Sequence, residues 1–254
     1  MRVPILTYHA VGDGPPPLFT PARELAAHLD ALRSSGRTTV RLGALVDVLR
    51  DGRELPENAV VLTFDDGDAS VAEIAAPLLR ERGLTATIFL VADLAGKRAR
   101  WNGLAAPAAG RELLSLEKAA ALAEEGWELG AHSRTHRSLR RLSPLELLAE
   151  VDGSRERICS GTGHDPRVFA YPYGVVTKAA REAASRAFDG AVGTRLSLAD
   201  SGDDRYDLPR IDAYYVDPFV AGRLDAPVQR LSFAVRRCLR TVRRAVKPDD
   251  APRG

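Results

Sequence analysis

Short apolar runs alternate with amphipathic stretches along most of the chain. Val3–Leu6, Thr38–Leu42, Ala59–Phe64, Thr85–Val91, Glu128–Ala131, Val168–Ala170, Gly190–Gly193 and Leu208–Ile211 read as buried strands. Between them lie helical stretches, starting with one opened by Thr20 and Pro21 that runs to about Ser34. The others are Ala44–Arg50, Ser70–Arg82, Leu116–Glu125, Ser143–Cys159 and Thr177–Ala187, with Gly83 and Gly126 as stop signals. Ser143-Pro144-Leu145-Glu146 has the form of a capping box with proline in the first turn. Residues 93–114 break the pattern and read as a long Ala- and Gly-rich loop. Repeated strand–helix units predict a parallel sheet with helices outside it, and roughly six or seven of them favour a closed or nearly closed barrel.

The tail differs. Leu231, Val235, Cys238, Leu239, Val242 and Val246 mark one apolar helical face among many arginines. The predicted organisation is a barrel over 1–222 and an appendage over 223–254, a basic amphipathic helix followed by a disordered end. Packing of this helix on the barrel is the default; contact of the 228–246 helix with an anionic membrane surface or a protein partner is the alternative.

A length of 254 residues suits one large core with a short appendage. A formal net charge of +2 gives no large field for nucleic acid. Cys159 and Cys238 form no CxxC or Cys/His cluster, which argues against a cysteine-based zinc site; one disulfide between them stays open. The opening apolar run is too short for a secretory signal, and no stretch approaches the roughly 20 apolar residues that span a bilayer. The expectation is a cytoplasmic protein, with membrane association or another export route left open.

Three motifs concentrate the chemistry. Thr63-Phe64-Asp65-Asp66-Gly67 sets two carboxylates at the end of an apolar strand, the edge where sites form in parallel α/β proteins. Neighbouring residues in extended chain face opposite sides, so the two aspartates can do different work. A solvated loop, or Asp66 as a helix cap, is the plain alternative. His132-Ser133-Arg134-Thr135-His136 places two of the five histidines four apart, a spacing that meets on one side of a helical turn and suits chelation. Together with an aspartate from another strand end they form a His-His-Asp set with positions open for water and substrate. Phe169-Ala170-Tyr171-Pro172-Tyr173-Gly174 is either a groove wall with N–H groups facing an anion or a rigid turn over the core. His9, after Tyr8, falls on the same rim, where a structural and a catalytic role both stand open.

With TFDDG at 63–67, HSRTH at 132–136 and YPYG at 171–174 in this order, the chain resembles the NodB-homology polysaccharide deacetylases, carbohydrate esterase family four, over about residues 1–212. The resemblance implies a distorted (β/α)7-type barrel, here with the C-terminal basic helix appended, and hydrolysis of N-acetyl or related amides on sugars. It implies that Asp65 is the catalytic base and that Asp66, His132 and His136 hold a divalent metal. Zinc is the first expectation, and the N/O donor set also serves cobalt, nickel or iron. Tyr173 matches the position whose backbone N–H binds the oxyanion, with Pro172 and Tyr171 beside it. The opening PILTYHAV is similar to the branch that includes poly-N-acetylglucosamine deacetylases, in which the acid histidine lies near the N-terminus; His9 is the match. Many members carry an arginine just before the proline motif, where this chain has Phe169-Ala170-Tyr171; Arg210 is the candidate to supply that charge, by contact with Asp65. Trp101 is expected to line the substrate groove and Trp127 to be core.

A carbohydrate substrate follows from this reading, while the oligomeric state stays open. Two other functions compete: hydrolysis of a different non-peptide C–N bond in a small molecule, and an inactive barrel that binds sugar. Aromatic residues at 6% form no evident stacking array, which favours the small substrate. The intact Asp-Asp and His-His pairs argue against inactivity.

Overall fold

The computed structural model describes residues 1–101, 104, 109–226, 233 and 236. Eight strands carry the fold: β1 (Ile5–Tyr8), β2 (Thr38–Val40), β3 (Ala59–Phe64), β4 (Thr87–Leu90), β5 (Glu128–Ala131), β6 (Val168–Ala170), β7 (Gly190–Val192) and β8 (Ile211–Asp212). They form one curled parallel sheet in the order β7-β6-β5-β4-β3-β1-β8, with β2 paired to β3. Ala59–Val61 of β3 pair with β2, while Thr63 and Phe64 pair with β4. Both partners lie opposite β1, so they share one edge of β3. The segment 208–212 spans the two ends of the sheet: Leu208 bridges Val192 of β7, and Ile211 pairs with Leu6 of β1. The result is the expected (β/α)-type barrel in half-barrel form.

Helices α1 (Ala22–Ser34), α2 (Leu42–Asp51), α3 (Ala76–Arg80), α4 (Leu116–Glu124), α5 (Pro144–Thr162) and α6 (Lys178–Ala187) alternate with the strands. The α1 sequence buries Leu25, His28, Leu29 and Leu32, one stripe at helical spacing. The capping box of α5 forms as its sequence predicts, and the helix runs past Cys159 to Thr162, where Gly163 takes a left-handed φ of 75°. The stretch predicted as one helix over 70–82 is instead a π-helical turn, Val71–Ala75, followed by α3. Pro77 explains the difference, because it has no N–H to give the preceding turn.

The period-2 alternation of the strands decides which side chains reach the barrel mouth. In β3, Val60, Leu62 and Phe64 pack outward against the helices, while Ala59 and Val61 belong to the inner cluster. Thr63 and Asp65 continue that inner phase. The same phase in β1 runs through Ile5 to Thr7 and His9, and in β5 through Gly130 to His132. A Cβ on Gly130 would sit 2.5 Å from the Phe89 ring, so the interior has no room for a larger residue there. Trp127 is buried and packs on Phe64 at 5.6 Å, as expected of core. Of the predicted C-terminal helix, Leu231, Val235, Cys238, Leu239, Val242 and Val246 lie outside the described residues, as do the 247–254 end and any pairing of Cys238. No helix among the described residues is long and apolar enough to cross a membrane.

Candidate active site

β3 ends where its ladder ends. Asp65 N–H donates to Tyr8 O at 2.9 Å, and the next two residues turn away with left-handed φ, 69° at Asp66 and 68° at Gly67. That reversal swings Asp66 back toward the mouth, so both adjacent carboxylates are buried at the site. Four non-glycine residues have positive φ among the described residues, and all four are here: Asp66, Ser133, His136 and Tyr173. Strain of this kind is retained where a site needs it.

Asp66 meets both histidines. Its Oδ1 lies 3.3 Å from His136 Nε2 and 3.6 Å from His132 Nε2. His132 Nδ1–H donates to Ala170 O at 2.7 Å, which leaves the lone pair of Nε2 facing Asp66. The two histidines do not meet across a helical turn, as their spacing predicts. Residues 132–136 form a loop instead, because Ser133 and His136 are left-handed. The loop is fastened by His136 N–H to Ser133 Oγ at 3.0 Å and by Glu150, whose carboxylate accepts from Arg134 N–H, Thr135 N–H and the Thr135 hydroxyl.

Asp65 is held from behind. Arg210 donates from Nη1 and Nη2 to its two oxygens at 2.6 and 2.7 Å, a bidentate pair buried at both ends. Arg210 is itself fixed by Gly193 O at 2.9 Å and Thr63 Oγ1 at 3.2 Å. Burial pushes the Asp65 carboxyl up, but the charge and hydrogen bonds of Arg210, joined by His132 and His9 when these are protonated, outweigh it and hold it below the usual carboxylate value. The same contest, dominated after burial by His136, leaves Asp66 far below that value. Burial pushes the His132 imidazole down to about 4, against the pull of Asp65, so it is neutral at ordinary pH. His9 is partly exposed, with Nε2 4.0 Å from Asp65 Oδ2.

These groups line a cleft of about 230 Å³ with Leu18, Trp101, Leu104, Tyr171, Tyr173, Gly174 and Thr194, room for about one sugar unit. The Trp101 ring lies against His136 at 4.4 Å, tilted by 32°, and the Tyr173 ring meets it edge-on at 4.7 Å. Tyr173 has φ 59° within a tight turn closed by Gly174, and burial pushes its phenol up to about 12. A Cβ on Gly174 would strike Thr194 Oγ1 at 2.0 Å, which explains the glycine. Tyr171 presents its ring to the cleft while its hydroxyl donates to Tyr206 O at 2.9 Å. Pro172 is buried within the turn and is not a wall residue.

The ligand atoms of Asp66, His132 and His136 all lie within 4.8 Å of one another. Bonds of about 2.0–2.1 Å in a tetrahedral site set ligand atoms roughly 3.4 Å apart, which the Asp66–histidine separations match. The tautomer of His132 also fits. Sequence reasoning missed two residues: Glu150, and Arg111, which pairs with both Asp66 and Asp68. A polar residue inside the apolar stripe of α5 was the available signal for Glu150.

Carboxylates, imidazoles and a guanidinium gathered at the carboxyl edge of a parallel barrel stand where barrel enzymes build their active sites. Residues 52–188 match the polysaccharide deacetylase family model. YxkH of Bacillus subtilis (strain 168) is 25% identical over 83% of this chain and 71% of its own length. Among solved structures, IcaB from Ammonifex degensii superposes with a TM-score of 0.74 at 25% identity, over 90% of this chain and 97% of that one. The Streptococcus pyogenes deacetylase PplD, solved in complex with acetate, gives 0.72 at 21% identity, over 83% and 92%. The chain belongs to the polysaccharide deacetylase family, hydrolases that act on the carbon–nitrogen bond of acetamide groups on carbohydrate.

Proposed function

We propose that this chain removes acetyl groups from an N-acetylglucosamine-type poly- or oligosaccharide in a divalent-metal-dependent reaction. The observation that carries the reading is the convergence of Asp66, His132 and His136 beside a buried, arginine-held Asp65. Asp66, His132 and His136 would hold the metal, zinc first by donor set, which supplies Lewis acidity and an acidified water. Asp65 accepts the proton of the attacking water. Its pairing with Arg210 keeps it ionised at neutral pH and makes it a modest base, enough for a water already acidified. The Tyr173 backbone N–H donates to the developing oxyanion, a contact worth about 3–4 kcal/mol in comparable sites. His9, across from Asp65 on the open side of the cleft, donates a proton to the departing amine. Trp101, Tyr171 and Tyr173 flank the acetylated unit.

The small cleft favours one sugar at the reacting position, which single acetamido glycosides also fill; a small-molecule amide is therefore the second reading. The test is acetate release from N-acetylated oligosaccharides and acetamido glycosides, with and without chelator. The reading expects chelator-sensitive release that Asp65→Asn abolishes while still binding zinc. Release indifferent to chelator, or near-normal turnover by Asp65→Asn, would overturn it.

A further inference from the structure

The loop after β4 delivers a cation to the metal carboxylate. Arg111 stands at the base of that excursion, where Ala99 N–H donates to Arg111 O at 2.8 Å. Its neighbours fasten to the turn that follows the Asp pair: Ala69 N–H donates to Glu112 O, and Leu114 N–H to Gly67 O. The backbone therefore fixes Arg111 against residues 66–68. Its buried guanidinium donates to Asp66 Oδ2, pairs through Nε with Asp68 Oδ2 at 2.8 Å, and lies 5.3 Å over the Trp101 ring. Asp68 is anchored in turn, accepting from Ser70 N–H at 3.0 Å, and Ser70 Oγ accepts from Val11 N–H. The Asp66 carboxylate is thus divided, Oδ1 to the imidazoles and Oδ2 to arginine.

A buried guanidinium on the carboxylate of a cation site acts in two opposed ways. It orients the carboxylate, which favours binding, and it repels the ion, which opposes it. Loss of a partner that only orients a ligand usually weakens metal binding by about 10–100-fold. Here the partner itself carries a full positive charge one carboxylate away from a divalent ion, in a site largely shielded from water. Coulomb repulsion at that range outweighs the orienting effect.

We infer that Arg111 is a built-in counter-ion of Asp66: it holds the carboxylate in its coordinating pose in the metal-free protein, keeps Oδ2 from the ion when metal is bound, and lowers metal affinity. Asp68 offsets part of this charge from the far side. Arg111 is a positioning residue, and the inference rests on Asp66, His132 and His136 being the metal ligands.

The test is zinc affinity of the chelator-stripped 254-residue chain by competition with a chromogenic chelator, together with the metal-free Tm. Wild type is compared with Arg111→Gln, Arg111→Lys, Asp68→Asn and His132→Ala. Arg111→Gln is expected to lower the metal-free Tm yet bind zinc at least about tenfold more tightly. Arg111→Lys keeps the charge and stays within about threefold of wild type. Asp68→Asn is expected to weaken zinc binding by about tenfold, because the charge of Arg111 is then less offset. A purely architectural arginine would shift both variants toward weaker binding, and zinc affinity unchanged or weaker in Arg111→Gln overturns the inference. Should that variant not fold, unchanged affinity in Asp68→Asn overturns it equally. Wild type that binds zinc no better than His132→Ala would bring down the metal assignment, and the inference with it.

Discussion

Removing Arg210 should turn Asp65 from a paired charge into a stranded one. Methionine is the substitution to make, because it keeps much of the volume and removes every donor. The guanidinium makes two short bonds to a carboxylate that is 3% exposed and is itself 2% exposed, so water cannot replace it. Breaking a buried pair from one side costs about 3–5 kcal/mol, a large share of the roughly 5–15 kcal/mol that holds a domain folded. For a chain of this size that corresponds to a Tm loss of about 6–20 °C. The pH dependence carries the mechanism. In the wild type the Asp65 carboxyl lies below its ordinary value, so its contribution is present at neutral pH and lost as pH falls through that lowered value. In Arg210→Met burial dominates, and the carboxyl moves above its ordinary value. The folded mutant then takes up a proton at a pH where the unfolded chain does not, and regains part of the loss on acidification. The stability difference between the two proteins is therefore largest near neutrality and smallest in acid. Urea unfolding with chelator present, at about pH 7 and about pH 4.5, measures it. The double variant Asp65→Asn/Arg210→Met should recover most of the stability. A loss below about 1 kcal/mol, or one equal at both pH values, would refute the reasoning.

Three further outcomes are expected. Replacing Glu150 by alanine strands two N–H groups and a hydroxyl, so zinc affinity should fall by about 10–100-fold while α5 stays folded; unchanged affinity would show that the 132–136 loop holds itself. His9→Ala should remove the limb of the pH–rate profile on which activity falls as a proton donor is lost with rising pH, and an unchanged profile would return His9 to a structural role. Burial lowers the His28 imidazole, which stands neutral between the Tyr8 hydroxyl and Val216 O. As pH falls through about 6.5 the unfolded chain takes up that proton first, so stability drops, and His28→Gln should flatten this slope in urea titrations.

What could be read in advance follows from how far along the chain each cause lies. Asp65, His9 and His132 were legible because a buried strand fixes phase: once Ala59–Phe64 is a strand, the inward side of the next residue is set. Arg210 was reachable only through a gap, the arginine missing before the proline motif. Arg111 was not legible at all. It lies in the stretch read as a long Ala- and Gly-rich loop, and its partners depend on a backbone register between residues 67–69 and 112–114 that no local pattern encodes. The left-handed residues of the 132–136 loop escaped for a related reason. Neither Ser nor His announces that conformation as a glycine would, and what enforces it is largely a carboxylate from the following helix. The break in the 70–82 helix was visible in Pro77 and only needed its missing donor to be counted.

The link that 208–212 makes between the two ends of the sheet has a bearing on biosynthesis. Asp65 leaves the ribosome early, yet its counter-ion is some 145 positions behind it. Until that last stretch emerges, a sheet closed over Asp65 lacks the partner whose loss costs about 3–5 kcal/mol in the finished protein. Early closure of the pocket is thereby penalised, and the penalty lifts once Arg210 arrives ahead of the last strand.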